Sequence, residues 1–256
     1  MYCAGLRANP EAISTIAFGR TQQMIDDIPN NELSRAGVAY RELKRRITEL
    51  YYRPGDKLSE VGIATEFGFG RSPVRTAFSR LQSEGWIEIS PQSGTFVRGL
   101  SDAEITEILE ARLVLEPYLA GRAAKMISDI ELTRLRDAFS AFGERVSASR
   151  LDDYLELDLQ FHLAIYKAAG NRLIAGILVN LIDKIRWIRR GSAAYPVRIN
   201  DAFDEIHSVL DALEARDGEA ASAAMRVHIE NTLEFRRYNQ THSVGADQSK
   251  VQRPFV

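Results

Sequence analysis

Residues 71–97 read RSPVRTAFSRLQSEGWIEISPQSGTFV, and the period of the apolar residues changes partway along. From Arg71 the apolar Val74, Phe78 and Leu81 recur three and four positions apart, the spacing of a helix with one buried stripe. Past Gly85 two short β-like runs follow, on either side of Ser90-Pro91-Gln92-Ser93-Gly94, a hairpin signature. Upstream, Ser59 offers an N-cap to a short helix that stops at Gly68. Before that, a helical pattern begins near Glu32, with Val38, Leu43, Ile47 and Leu50 on its apolar side. It ends at the turn Arg53-Pro54-Gly55-Asp56. Two short helices close in sequence and then a hairpin predict a winged helix-turn-helix over residues 32–98.

Beyond Gly99-Leu100 the pattern is helical throughout. Six helices are expected, over 101–127, 129–148, 151–169, 171–192, 197–216 and 218–239, and Pro117 should kink the first. The short connections make neighbours antiparallel. The fold class is therefore mainly α: an N-terminal winged helix-turn-helix followed by an antiparallel all-α helical bundle over 101–239. Residues 1–31 read as a flexible arm and 240–256 as a disordered tail.

The composition, 45% apolar and 27% charged, is that of a globular domain. No apolar run reaches the ~20 residues a membrane helix needs. Cys3 is the only cysteine, so no intramolecular disulfide can form, and a reducing, cytoplasmic setting is the expectation. The net charge of −2 hides an asymmetry. Residues 38–98 carry 10 basic against 7 acidic side chains, and residues 101–240 carry 18 against 23. Nucleic-acid contact, if made, belongs to the front part.

In that part Arg71 and Arg75, four apart, share a face distinct from the buried stripe. An arginine in the first turn of a recognition helix can fork onto guanine O6 and N7, while Ser72 and the terminal amides suit a phosphate. Gly94 and Thr95 at the hairpin tip are small enough to enter a minor groove. Exposed arginine pairs also occur simply as solvated surface.

In the helical part the stretch ELDLQFHLAIY (156–166) sets a carboxylate and an imidazole on an apolar stripe: Asp158 lies one turn before His162, among Leu155, Leu159 and Ile165. A buried carboxylate needs a positive partner. His207, beside Phe203 and Leu210, and His228, in line with Met225, Thr232 and Phe235, also face inward. Three imidazoles and a carboxylate make a set for a divalent cation, Zn²⁺ first, with Ni²⁺, Mn²⁺ or Fe²⁺ also suited. The alternatives stay open: each histidine can be an ordinary core residue, and Asp158 can pair with Arg112, which faces inward with Ile105, Leu109 and Leu119. Periodicity does not decide whether Asn180, Arg186 and Arg189 face the same interior, and His242 has no assigned role.

The segment YRPGDKLSEVGIATEFGFGRSPVRTAFSRLQSEGWIEISPQSGTFV (52–97) resembles the N-terminal domain of GntR-family transcription regulators. The likeness lies in the PG-x-x-L-S-E entry, the R-[ST]-P-V-R helix start, the R-L-x-x-E-G exit and the G-T-F-V wing. It implies DNA contacts from Arg71, Ser72, Arg75 and the wing at Gly94 and Thr95. Gly70 departs from the family's usual Ser or Thr, and Val61 stands where some members carry a DNA-contacting Arg. The pieces ILEARLVLEPYLAGRAA, DLQFHLAIYKAAGN, FDEIHSVLDALEARDGEAA and MRVHI resemble the FCD effector domain of the FadR-type branch. Its metal-binding members use an Asp, a His four later and one His from each of the last two helices, which implies Asp158, His162, His207 and His228 here. Such regulators sense organic or sugar acids, and Arg112 would grip the effector carboxylate.

The expected protein is a DNA-binding regulator, a repressor, acting as a homodimer on a pseudo-palindromic operator and controlled by a small carboxylate at a metal site. The competing readings are a metalloenzyme using the His₃Asp ion and a regulator answering to metal alone.

Overall fold

The computed structural model describes residues 34–243, and the arm expected over 1–31 lies outside them. The described residues form two compact units: one made of 34–46 with Pro54–Arg98, the other of Ile47–Arg53 with 99–243.

The first unit holds α1 (Arg35–Thr48), β1 (Lys57–Leu58), α2 (Glu60–Phe67), α3 (Arg71–Ser83), β2 (Ile87–Ser90) and β3 (Gly94–Val97). The hairpin pairs Ile87 with Val97 and Ser90 with Gly94, and β1 adds to the free edge of β3, giving the antiparallel order β1-β3-β2. A two-residue strand has no periodicity to read, and β1 was not anticipated. Ser59 caps α2 by accepting from the Gly62 amide, and Gly68 ends it in the left-handed conformation at φ 66°. Val74, Phe78 and Leu81 of α3 are buried, as their spacing predicted, and so are Trp86, Ile87 and Val97 of the strands and the turn before them.

The register of α1 differs from expectation. Its buried stripe is Ala39, Tyr40, Leu43 and Ile47, whereas Val38 is exposed. The helix stops at Thr48, and Leu50 takes a left-handed φ of 59° instead of extending the apolar face. Tyr40 is on the stripe because its hydroxyl has a partner. It donates to Glu84 at 2.7 Å, Lys44 reaches the same carboxylate at 2.9 Å, and the Arg80 guanidinium lies 3.6 Å from the ring centre. These contacts fasten α1 to the far end of α3.

The second unit is a bundle of α4 (Asp102–Met126), α5 (Asp129–Ser140), α6 (Leu151–Ala168), α7 (Arg172–Asn180), α8 (Ile182–Ser192), α9 (Pro196–Glu214) and α10 (Gly218–Ser243), with a 3₁₀ turn at Ala148–Arg150. Starts follow cap chemistry. Ser101 and Glu104 form a reciprocal capping box, Ser128 accepts from the Glu131 amide, and Asn171 accepts from the Ile174 amide. Two expected helices are corrected. The span 129–148 ends at Ser140, with Gly143 at φ 74° beyond it. The span 171–192 is two helices, because the Leu181 amide bonds back to Leu178, tightening the turn before α8 restarts. α4 runs without a break across Pro117, and α10 runs past the expected end at 239.

The core gathers Leu119, Phe139, Phe161, Ile165, Phe203, Leu210 and Met225 from five of these helices. α4 and α10 approach closely at Gly121 and Gly218, where a β-carbon on Gly121 would lie 2.9 Å from the Gly218 carbonyl oxygen. Neither backbone can yield without moving its helix. Gly121→Ala is therefore expected to cost about 1–3 kcal/mol by overpacking, against the small gain Ala normally gives a helix. Urea denaturation checks this, and an unchanged midpoint would count against the close approach.

Candidate metal centre and nucleic-acid interface

In the bundle, Asp158 and His162 on α6 meet His228 on α10. All three are buried, and one ligand atom from each lies within 4.8 Å of the others. Both imidazoles are held from behind. His162 Nδ1 is 2.7 Å from Glu116 Oε2, and His228 Nδ1 is 2.8 Å from Glu205 Oε2. Carboxylates only accept, so each Nδ1 carries the hydrogen, and a neutral ring then turns an Nε2 lone pair toward the other side. His162 Nε2 is buried, has no hydrogen-bond partner, and lies 3.7 Å from Asp158 Oδ1, too far for a hydrogen bond.

The two carboxylates behind the histidines are themselves tied. Glu116 accepts from Arg112 Nε at 2.6 Å and from the Tyr166 hydroxyl at 2.7 Å. Burial would raise its carboxyl, but Arg112 and His162 overcome that and hold it well below the usual carboxylate range. Glu205 is gripped by both terminal nitrogens of Arg198 at 2.9 Å, and Arg198 also donates to Thr232. Burial pushes the His228 ring below its ordinary value despite Glu205, which favours the neutral form a cation requires.

The positive partner of Asp158 is Arg189 of α8, with Nε 2.5 Å from Oδ2. Burial would raise this carboxyl too; Arg189 outweighs it, His162 and His228 add to the effect, and the net shift is strongly downward. Arg112, the alternative partner considered for Asp158, pairs instead with Glu116, and both are buried. His207 stands apart from the three-residue group. Its Nδ1 is 2.9 Å from the Phe203 carbonyl, and its ring packs edge-on against Phe139 and Phe203.

Sequence reading passed over Glu116, Glu205 and Tyr154. A signal existed for the first, since Glu116 follows Arg112 by one turn on the same inward stripe.

Whether the set suits a divalent cation can be judged from its donors. Two imidazoles with their Nδ1 hydrogens fixed by carboxylates, an ionised Asp158 and an unpartnered buried nitrogen are what such an ion completes. The residues fit.

In the first unit, Arg71, Ser72 and Arg75 are exposed on the first turn of α3. Gly70 caps that helix with no side-chain bond, so no side chain at the cap competes with a phosphate for the first amides. Arg75 is bridged to Glu60 of α2 at 3.1 Å. The wing turns through exposed Pro91, Gln92 and Ser93, with Gln92 at φ 67° and Gly94 at φ 119°. Lys57 of β1 crosses over Gly94, where a β-carbon would meet its Cε at 2.7 Å.

Among the described residues no helix is long and apolar enough to cross a membrane. Residues 35–97 match the model of bacterial regulatory proteins of the gntR family, and residues 107–231 match the FCD domain. The chain is 32% identical over 208 residues to the HTH-type transcriptional repressor RspR of Escherichia coli (strain K12), covering 80% of this chain and 90% of that one. It is 27% identical over 200 residues to the HTH-type transcriptional regulator LutR of Bacillus subtilis (strain 168), covering 70% and 90%. The solved structure of E. coli McbR/YncC superposes with a TM-score of 0.65 at 19% identity, over 82% of this chain and 99% of that one, a likeness of fold. The two sequence relatives are named as transcriptional regulators, which favours the regulator reading over the metalloenzyme one. The chain belongs to the gntR family of bacterial regulatory proteins, with a DNA-binding winged helix-turn-helix followed by an FCD domain.

Proposed function

We propose that the protein is a transcriptional repressor of the FadR-type branch. In this reading it is cytoplasmic and acts as a homodimer on a pseudo-palindromic operator, and a small organic or sugar acid at a divalent metal site sets its operator affinity. The observation that carries the metal is the buried, unpartnered His162 Nε2 facing Asp158, with Glu116 and Glu205 behind the two rings. Asp158, His162 and His228 would hold the ion, Zn²⁺ first, with His207 a fourth ligand if its ring turns away from the Phe203 carbonyl. A bound cation supplies a Lewis-acid contact for a carboxylate oxygen. The residues behind it fix ring orientation and keep water from the set.

Arg71, Ser72 and Arg75, with Gly94 and Thr95 on the wing, are the DNA contacts of this reading. One such head offers few base contacts, and two related by a twofold axis read two half-sites. An effector switches the protein only through a difference in affinity between two arrangements of the heads. The sign, repression, rests on the name of the relative RspR.

Fluorescence anisotropy with genomic operator fragments tests this, using metal-loaded and chelated protein and a panel of organic acids. Sequence-preferring, salt-dependent binding that an acid weakens is expected. An effect of metal without any acid would favour the metal-only regulator, and no binding under any condition would overturn the proposal. The ligand set has its own check, by metal content and melting temperature. His162→Ala is expected to lose the ion and, with it, any metal-dependent rise in melting temperature. His207→Ala retains the ion if three ligands suffice and loses it if four are needed. Retention of full metal content by His162→Ala would contradict the site.

A further inference from the structure

Among the described residues, four of the buried polar atoms without a hydrogen-bond partner belong to residues that act on the Asp158 charge: His162 Nε2, the Tyr154 hydroxyl, and both terminal nitrogens of Arg189. Arg189 gives only its Nε to Asp158, so the two-pronged face of the guanidinium is unused although its side chain is only 11% exposed. Tyr154, one turn before Asp158 on α6, is 1% exposed, with its ring packed against Phe142 and Phe203. Burial, with the Asp158 charge adding, pushes the Tyr154 hydroxyl well above its usual range, so it stays a donor. Donors left unsatisfied in an interior cost free energy, and a guanidinium loses more than a neutral group. What they lack is an acceptor with two oxygens side by side.

We propose that Arg189, not Arg112, is the effector's carboxylate clamp, and that without a metal ion it serves as the internal cation that neutralises Asp158. Arg112 is excluded because Glu116 already takes its Nε and approaches a terminal nitrogen at 3.4 Å. The charge balance supports the two roles. One Asp158 carboxylate balances one Arg189, leaving the local set neutral. A divalent cation on Asp158, His162 and His228 makes it doubly positive beside an unused fork and a free hydroxyl. A small carboxylate then finds two parallel donors on Arg189, a third on Tyr154, and excess positive charge. Metal and anion therefore bind cooperatively, and Arg189 opposes the metal when no anion is present.

The inference rests on the metal reading above, and the experiment separates the two. Full-length wild type, Arg189→Met and Arg189→Lys are titrated with Zn²⁺ against a competing zinc-binding dye, with and without acetate as the probe anion. Circular dichroism checks that the helices persist. Wild type is expected to bind Zn²⁺ about tenfold tighter with acetate present. Arg189→Met should bind Zn²⁺ alone at least about tenfold tighter than wild type, the opposing cation being gone, and acetate should no longer matter. Arg189→Lys retains the charge without the fork, so its affinity for Zn²⁺ alone should stay near wild type while the acetate effect falls away. No acetate effect on wild type, or wild-type behaviour of Arg189→Met, would overturn the clamp and leave the metal site standing. Failure of the wild type to bind Zn²⁺ would overturn both.

Discussion

Glu116→Ala is expected to destabilise the helical unit by about 3–5 kcal/mol, the largest single effect in the bundle. Glu116 is fully buried and accepts from Arg112, Tyr166 and His162 at 2.6–2.7 Å. Removing it leaves a guanidinium that is 2% exposed without its ion-pair partner, together with two more unpaired polar groups. The loss is that of breaking a buried pair by deleting one partner, which far exceeds the net worth of an intact pair. Urea unfolding followed by Trp187 fluorescence, in a Trp86→Phe background, reads this unit. A loss below about 1 kcal/mol would mean that Arg112 reaches solvent or another acceptor. Glu116→Gln, which retains the shape, should fall between wild type and Ala.

Arg71→Ala is expected to have the largest effect on DNA binding. Arg71 is exposed on the first turn of α3, beside a helix start whose cap makes no side-chain bond. A bidentate arginine–guanine contact is worth about 1–3 kcal/mol. A homodimer loses it at both half-sites, so operator affinity should fall by about 30-fold to about 10⁴-fold, with little change at unrelated DNA. Arg75→Ala should cost less. Its guanidinium is already bridged to Glu60, so engaging a phosphate means sharing or breaking that pair. Anisotropy titrations at fixed salt measure both, and equal losses on operator and unrelated DNA would recast Arg71 as a phosphate contact.

The head was legible because its signals are local. Val74, Phe78 and Leu81 recur at helical spacing, Ser59 caps through its own hydroxyl and Gly68 through the left-handed backbone that its missing β-carbon allows, and the hairpin announces itself by a change of period. Where reading failed, the deciding partner was distant in sequence. Tyr40 takes the buried stripe from Val38 because Glu84, 44 positions away, satisfies its hydroxyl. β1 exists only because the edge of β3 is there to pair with.

The candidate site divides the same way. The one-turn spacing of Asp158 and His162 put both on one inward face, and helical periodicity turned His228 to the interior. The partner of Asp158 was not readable, since Arg112 and Arg189 are equally arginines at inward-capable positions and only packing chooses between them. His207 shows the limit from the other side. It faces inward as its periodicity requires, yet its Nδ1 lies against its own helix's carbonyl at Phe203.

Anomalous diffraction at the zinc edge tests most directly whether the helical domain cages a divalent cation. Crystals of the full chain grown with Zn²⁺ should show one strong peak per protomer bounded by Asp158, His162 and His228, with any density toward His207 deciding its part. Featureless anomalous maps there, with Arg189 still seated on Asp158 and both histidines unmoved, would contradict it.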